Sequence, residues 1–177
     1  MQAAPGIPDF TIRFPTVDDV PVILRFIQGL AEYEKLSHEV QATESGLRET
    51  LFGPKPAAEV LLGEYKETPV GFALFFPNYS TFLGQPGIYL EDLFVVPEMR
   101  GRGFGRALLT ALATLARARG CGRLEWAVLD WNTPAIQFYR SLGAVPKDEW
   151  TIFRLTGAAL ERQATEPLAP PEWNHGT

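Results

Sequence analysis

Six consecutive residues, Arg100-Gly101-Arg102-Gly103-Phe104-Gly105, combine three glycines at alternate positions with two arginines. Glycine lets a backbone approach a ligand closely and adopt conformations closed to other residues. From Phe104 the apolar residues recur at Leu108, Leu112 and Leu115, with Leu109 and Ala116 beside them, which is a helical period. The glycines therefore stand at a helix N-terminus, where unpaired N–H groups and the macrodipole attract an anion. Charge agrees: the chain has a net charge of −5, yet residues 100–123 hold six arginines and no acid. Arginine matches phosphate geometry better than a point charge does. The plainer alternative is a glycine-rich turn with a solvated basic helix face. Two other phosphate patterns are absent. There is no G-x-x-x-x-G-K-[ST], and G-x-G-x-x-G fails from Gly101 at Arg106 and from Gly103 at Leu108.

The elements that must hold this loop can be read along the chain. Residues 1–9 form a Pro/Gly-containing leader, expected to be loose. Phe10 to Phe14 alternates as a strand. Thr16 to Asp19 supplies N-cap candidates for an amphipathic helix from Val20 to about Glu34. The acids Glu32 and Glu34 oppose the dipole at its C-terminal end, which suggests either a cationic ligand or a solvated helix end. Thr43 to Phe52 reads as a shorter helix, Glu59 to Tyr65 and Val70 to Phe76 as a hairpin, and Asn78 to Gly87 as a loop. Gly71 hints at a bulge. Tyr89 to Val96 is a buried strand interrupted by Glu91 and Asp92 and ended by Pro97. Strand alternation places Asp92 on the face opposite Glu91, in a structural role. After the basic helix, Gly120 serves as its C′ residue. Leu124 to Leu129 reads as a strand, and a helix follows over Ala135 to Leu142, with Thr133 as cap and Gly143 as stop. Residues 144–155 suggest two short strands. The proline-containing tail over 157–177 is expected to be partly disordered.

Composition sets outer limits. A chain of 177 residues fits one domain with a sound core. The acidic balance argues against nucleic acid as a partner, and no apolar run is long enough to span a membrane. Residues 1–9 lack a signal-peptide pattern, so a cytoplasmic location is expected. Cys121 is the single cysteine and His38 and His175 are solitary, so no metal site is expected.

The loop fits [QR]-x-x-G-x-[GA], and in this it resembles the acetyl-CoA loop of the GCN5-related N-acetyltransferases, the GNAT superfamily. More specific blocks occur in order: Ala31-Glu-Tyr-Glu-Lys-Leu-Ser37, Tyr89-Leu-Glu-Asp92, Ala127-Val-Leu-Asp-Trp-Asn132, Phe138-Tyr-x-x-x-Gly-Ala144 and Trp150. They resemble the diamine acetyltransferases, above all the thialysine branch, over residues 10–156. The resemblance implies an α/β GNAT fold, with a mixed, mostly antiparallel sheet splayed between the strands ending near Val96 and Leu129. It implies a domain over 10–156, acetyl-CoA as co-substrate, no metal and a homodimer.

The implied reaction moves acetyl directly to a primary amine of a diamine, polyamine or thialysine-like molecule. An alkyl amine with a pKa of about 10.4 arrives protonated, and a departing thiolate with a pKa of about 8.5 leaves more easily with a proton. A base and an acid on opposite sides answer both needs. The resemblance puts the base at Glu91 and the acid at Tyr139. It puts the CoA contacts at Leu93, Phe94, Val95, Asn132 and the loop residues Arg100, Gly101, Arg102, Gly103, Phe104, Gly105 and Arg106. It puts the amine pocket at Tyr33, Glu34, Glu91 and Trp150. Two alternatives remain: the same fold acetylating a protein N-terminus, a lysine or an antibiotic amine, and a CoA-binding module without catalysis.

Overall fold

The computed structural model describes residues 2–3 and 7–165. Six strands form one sheet in chain order: β1 (Gln2–Ala3), β2 (Phe10–Arg13), β3 (Glu59–Tyr65), β4 (Thr68–Ser80), β5 (Gln85–Val95) and β6 (Leu124–Trp126). Neighbours are antiparallel except for β5 and β6, which are parallel. This is the expected α/β GNAT architecture. The chain divides into two compact units, Met1–Leu129 and Asp130–Thr177, and the whole sheet belongs to the first.

In the first unit, helices α1 (Val20–Glu34) and α2 (Glu44–Phe52) cover one face of the sheet. Val20, Ile23, Phe26 and Leu47 pack there against Val60, Leu62, Phe72 and Phe94. Helix α3 (Phe104–Ala118) covers the other face, with Phe104, Leu108 and Leu112 fully buried. Phe10 stacks on Phe104 with ring centroids 4.3 Å apart. Both helices form because their apolar residues recur at helical spacing and both faces of the sheet are apolar. Arg13 ties the entry of α1 to the sheet: its guanidinium donates to both oxygens of Asp19, at 2.7 and 2.8 Å, and to Glu64.

Two register shifts shape the sheet. One lies opposite Gly63 and Glu64, where Val70 is surplus beside Gly71. A Cβ on Gly71 would stand 2.5 Å from the carbonyl oxygen of Phe94, so this close strand approach requires glycine. The other lies in β5: Leu90 pairs with Phe75 and Asp92 with Leu74, which leaves Glu91 without a partner position on β4.

Several sequence expectations are corrected. The loop expected over Asn78 to Gly87 is mostly strand, since β4 and β5 continue to a tight turn over residues 81–84. Tyr79 and Phe82 had no alternating partners to reveal this. Gln2–Ala3 of the leader pairs with Ile12 and Thr11. Strand β6 ends at Trp126 rather than Leu129, because its pairing with β5 stops at Leu90.

The second unit contains α4 (Thr133–Ser141) and α5 (Gly157–Ala164). The cap of α4 is Asn132, whose Oδ1 accepts from the N–H of Ala135 at 3.3 Å, and not Thr133. Gly143 stops the helix with φ 85°. Residues 144–155 form no strand, since β-prone residues need a neighbouring strand to pair with. Gly157–Ala164 is helical where a loose tail was expected, and Pro167, Pro170 and Pro171 lie outside the described residues.

Candidate active site

The surplus residue in β5 decides which side chains meet. Phe72 and Phe94 face α1, so Leu74 and its partner Asp92 face α1 too. Phe75 and its partner Leu90 face the other way. Glu91, one step after Leu90, therefore also turns toward α1. A bulge thus puts two successive carboxylates on one side of the sheet. Both line a pocket of about 360 Å³, joined by Glu34 from the last turn of α1 and by Glu39. Ile27, Leu30 and Ala31 supply an apolar wall one helical face wide. The expectation that Asp92 faces away from Glu91 is overturned, because alternation fails across a bulge.

Asp92 feels both burial and its acidic neighbours. Burial, with the charges of Glu91 and Glu34, pushes the Asp92 carboxyl up to about 6. Burial also raises Glu34 above the usual carboxylate range. Such a cluster holds an ammonium well, because a cation relieves both effects at once. The acid at the end of α1 is thus explained for Glu34, whereas Glu32 is exposed. Asp92 is the pocket residue that strand alternation missed. Its signal was the adjacent acid pair in an apolar strand, which is itself a mark of a bulge.

Beside the pocket, the edge of β5 opens. Pairing with β6 ends at Leu90, and β5 runs on to Val95. Val96 N–H donates to Val70 O on β4. By alternation Val95 and Leu93 direct their backbone groups to the opposite, open edge. Phe94 directs its own toward β4. The open edge has the form that pairs with an extended, amide-bearing ligand.

The anion loop follows directly. Gly101 and Gly103 hold φ of 76° and 86°, the left-handed region that favours glycine. Gly103 is the N-cap of α3, and no side chain caps that helix. The first N–H groups of α3, from Phe104, Gly105 and Arg106, lie at this uncapped end. Arg102 places its guanidinium 5.8 Å from the Tyr65 ring centre. Arg100 has several partners within the protein. Its main-chain N–H donates to Pro97 O, and its Nε donates to Val95 O at 3.0 Å. Its guanidinium lies over the Tyr33 ring, 4.5 Å from the centroid. Tyr33 therefore packs on Arg100 and is not among the residues lining the acidic pocket.

The first unit thus brings together Glu34, Glu91, Leu93, Val95 and the loop from Arg100 to Arg106. Asn132, Tyr139 and Trp150 belong to the second unit. There Tyr139 lies near the end of α4, its ring 5.3 Å from that of Phe138. Trp150 is exposed in a turn closed by its N–H to Lys147 O. Among the described residues no group of three His, Cys, Asp or Glu side chains could hold a metal ion.

Comparison with known proteins agrees with this geometry. Residues 27–144 match the acetyltransferase (GNAT) family model. The chain is 41% identical to a thialysine N-epsilon-acetyltransferase of Bos taurus, covering 86% of this chain and 96% of that protein. It is 38% identical to an L-ornithine N5-acetyltransferase of Arabidopsis thaliana, over 85% and 86% of the two chains. An integron cassette protein from the mobile metagenome of V. cholerae superposes with a TM-score of 0.75 at 26% identity, over 89% of this chain and 99% of that one. A splayed β5 edge, a glycine-rich loop at an uncapped helix and similarity across most of the chain lead to one conclusion: this chain belongs to the GNAT acetyltransferase family and is an N-acetyltransferase.

Proposed function

We propose that the enzyme acetylates a primary amine of a small molecule that carries a second cationic centre, such as a diamine, polyamine or thialysine-like compound. The observation that carries this is the convergence of Glu34, Glu91 and Asp92, with Glu39, on one pocket with apolar walls. Among the residues that line it none is basic, so the pocket suits a polycation with a short aliphatic stem. The thialysine and ornithine acetyltransferases similar to this chain also bear names of small amines as substrates.

The chain's own groups have complementary tasks. The N–H groups of Gly101, Arg102, Gly103, Phe104, Gly105 and Arg106, with the nearby arginine charge, suit the pyrophosphate of acetyl-CoA. Backbone groups of Leu93 and Val95 suit its amide-bearing arm, and Asn132 is a further contact. Acetyl-CoA as substrate supplies an activated acyl group, which passes to the amine nitrogen as the C–S bond breaks. Glu91 takes the proton from the ammonium, through a water, so that the nitrogen lone pair is free to attack. Glu34 and Asp92 hold the remaining positive charge. Tyr139 donates its phenol proton to the departing sulfur, and the second proton shed by the nitrogen as the amide forms restores the phenol.

The functional domain in this reading spans 10–156, and the enzyme works in the cytoplasm, where the lone Cys121 thiol stays reduced. It acts as a homodimer. Val145, Trp150, Ile152, Phe153 and Leu155 are exposed in succession, Phe153 at 92%, and this β-prone strip suits pairing with a second copy.

A CoA-release assay tests the reading, with acetyl-CoA against spermidine, putrescine, thialysine, ornithine, lysine and a peptide pool. Turnover of a small amine is expected, with kcat lowered by about 100-fold in Tyr139→Phe. Turnover of peptides alone would make this a protein acetyltransferase. Acetyl-CoA binding without turnover of any acceptor would make it a binding module.

A further inference from the structure

The first residue of the anion loop, Arg100, reaches α1. Arg100 spreads its guanidinium over Tyr33, with the Phe94 ring 5.6 Å away on its other contact. Its Nε closes the Val95 carbonyl at the open edge of β5. Phe94 in turn rests on α1 at Gly29, where a Cβ would stand 2.8 Å from the ring. Gly29 and Tyr33 are one helical turn apart, so the second half of α1 is held by two successive contacts. Glu34, the next residue, lines the amine pocket. That final turn is closed by the N–H groups of Lys35 and Leu36 on the carbonyls of Glu32 and Ala31. It contains Glu32 and Glu34, no basic residue, and ends at Lys35 with φ 63°. Acids at a helix C-terminus oppose the macrodipole, and a cation placed there offsets them. Arg100 adds a second cation beside Lys35, delivered by the loop onto Tyr33.

Resting on the acetyltransferase reading above, we propose that Arg100 is a positioning residue that couples the CoA loop to the amine pocket through its stack on Tyr33. When the loop closes on a pyrophosphate, Arg100 is drawn with it and fixes the turn that presents Glu34. Filling the CoA site therefore orders the amine site, and the coupling is reciprocal.

Two readouts test this. In the first, amide hydrogen exchange is followed with and without CoA. In the wild type CoA is expected to protect both the loop and residues 32–36. In Arg100→Met it should protect the loop alone. In the second, thialysine and spermidine serve as amine probes. Arg100→Met should raise the amine KM by about tenfold while the calorimetric Kd for CoA changes less than about threefold. Tyr33→Leu should have the same effect, Tyr33→Phe, which keeps the ring, should restore the wild-type value, and the double variant should be no worse than either single one. Persistent protection of 32–36 in Arg100→Met overturns the proposal. So does a large loss of CoA affinity with an unchanged amine KM, which would make Arg100 a plain phosphate ligand. Failure of the wild type to bind CoA would instead refute the acetyltransferase reading, and the coupling with it.

Discussion

Neutralising Asp92 should make the free enzyme more stable at neutral pH. Folding moves this carboxyl from its ordinary 3.8 to about 6, through burial first and then the charges of Glu91 and Glu34. Below pH 3.8 the group is protonated in both the folded and the unfolded chain and costs nothing. As pH rises from 3.8 to about 6 the unfolded chain ionises first, so stability falls. Above that window the cost is constant. The shift converts to about 3 kcal/mol, which water in the open pocket reduces to about 2 kcal/mol. Asp92→Asn keeps the shape and removes the charge. In urea denaturation at fixed ionic strength, the variant should exceed the wild type by about 2 kcal/mol near pH 7 and match it near pH 4. Adding the preferred amine should shrink the difference near pH 7, because an ammonium offsets the repulsion. A gap independent of pH, or a variant less stable than the wild type near pH 7, would refute the account of Asp92 buried beside Glu91 and Glu34.

Asp19 should behave in the opposite sense, since the Arg13 guanidinium holds it down to about 2. Its contribution is complete above 3.8 and fades as pH falls toward 2, which acid titration followed by circular dichroism checks. Arg13→Met leaves the buried Glu64 and the half-buried Asp19 without their cation, and should cost about 3 kcal/mol in denaturant melts. Gly29→Ala forces its new methyl to within 2.8 Å of the Phe94 ring, which is itself packed against Phe26. It should lower stability by about 1–3 kcal/mol, read as a fall in Tm.

The helices α1, α2 and α3 were legible because their apolar residues keep one period and their ends carry recognisable stops such as Gly120. The anion loop was legible because three glycines and a cluster of arginines in an acidic chain have few other uses. Errors arose where local pattern does not determine the partner. Where β4 and β5 meet their turn the buried positions are Ser80 and Gly87, so no apolar alternation marks them. Residues 144–155 have strand composition, but nothing in a sequence supplies the neighbour that would make them strands. Asp92 was misplaced because a period of two was extended across Glu91. The contact of Arg100 with Tyr33 was not legible, because the two are distant in sequence and adjacent in space.

The bulge in β5 has one more implication. Strike out Glu91 and the strand pairs with β4 residue for residue, while Leu90, Asp92 and Phe94 keep the faces they now occupy. Neither apolar layer would register the loss. The sheet therefore carries this carboxylate as a spare link, added to a scaffold already complete without it. A carboxylate facing this pocket can thus be gained or shed by inserting or deleting a single residue of β5.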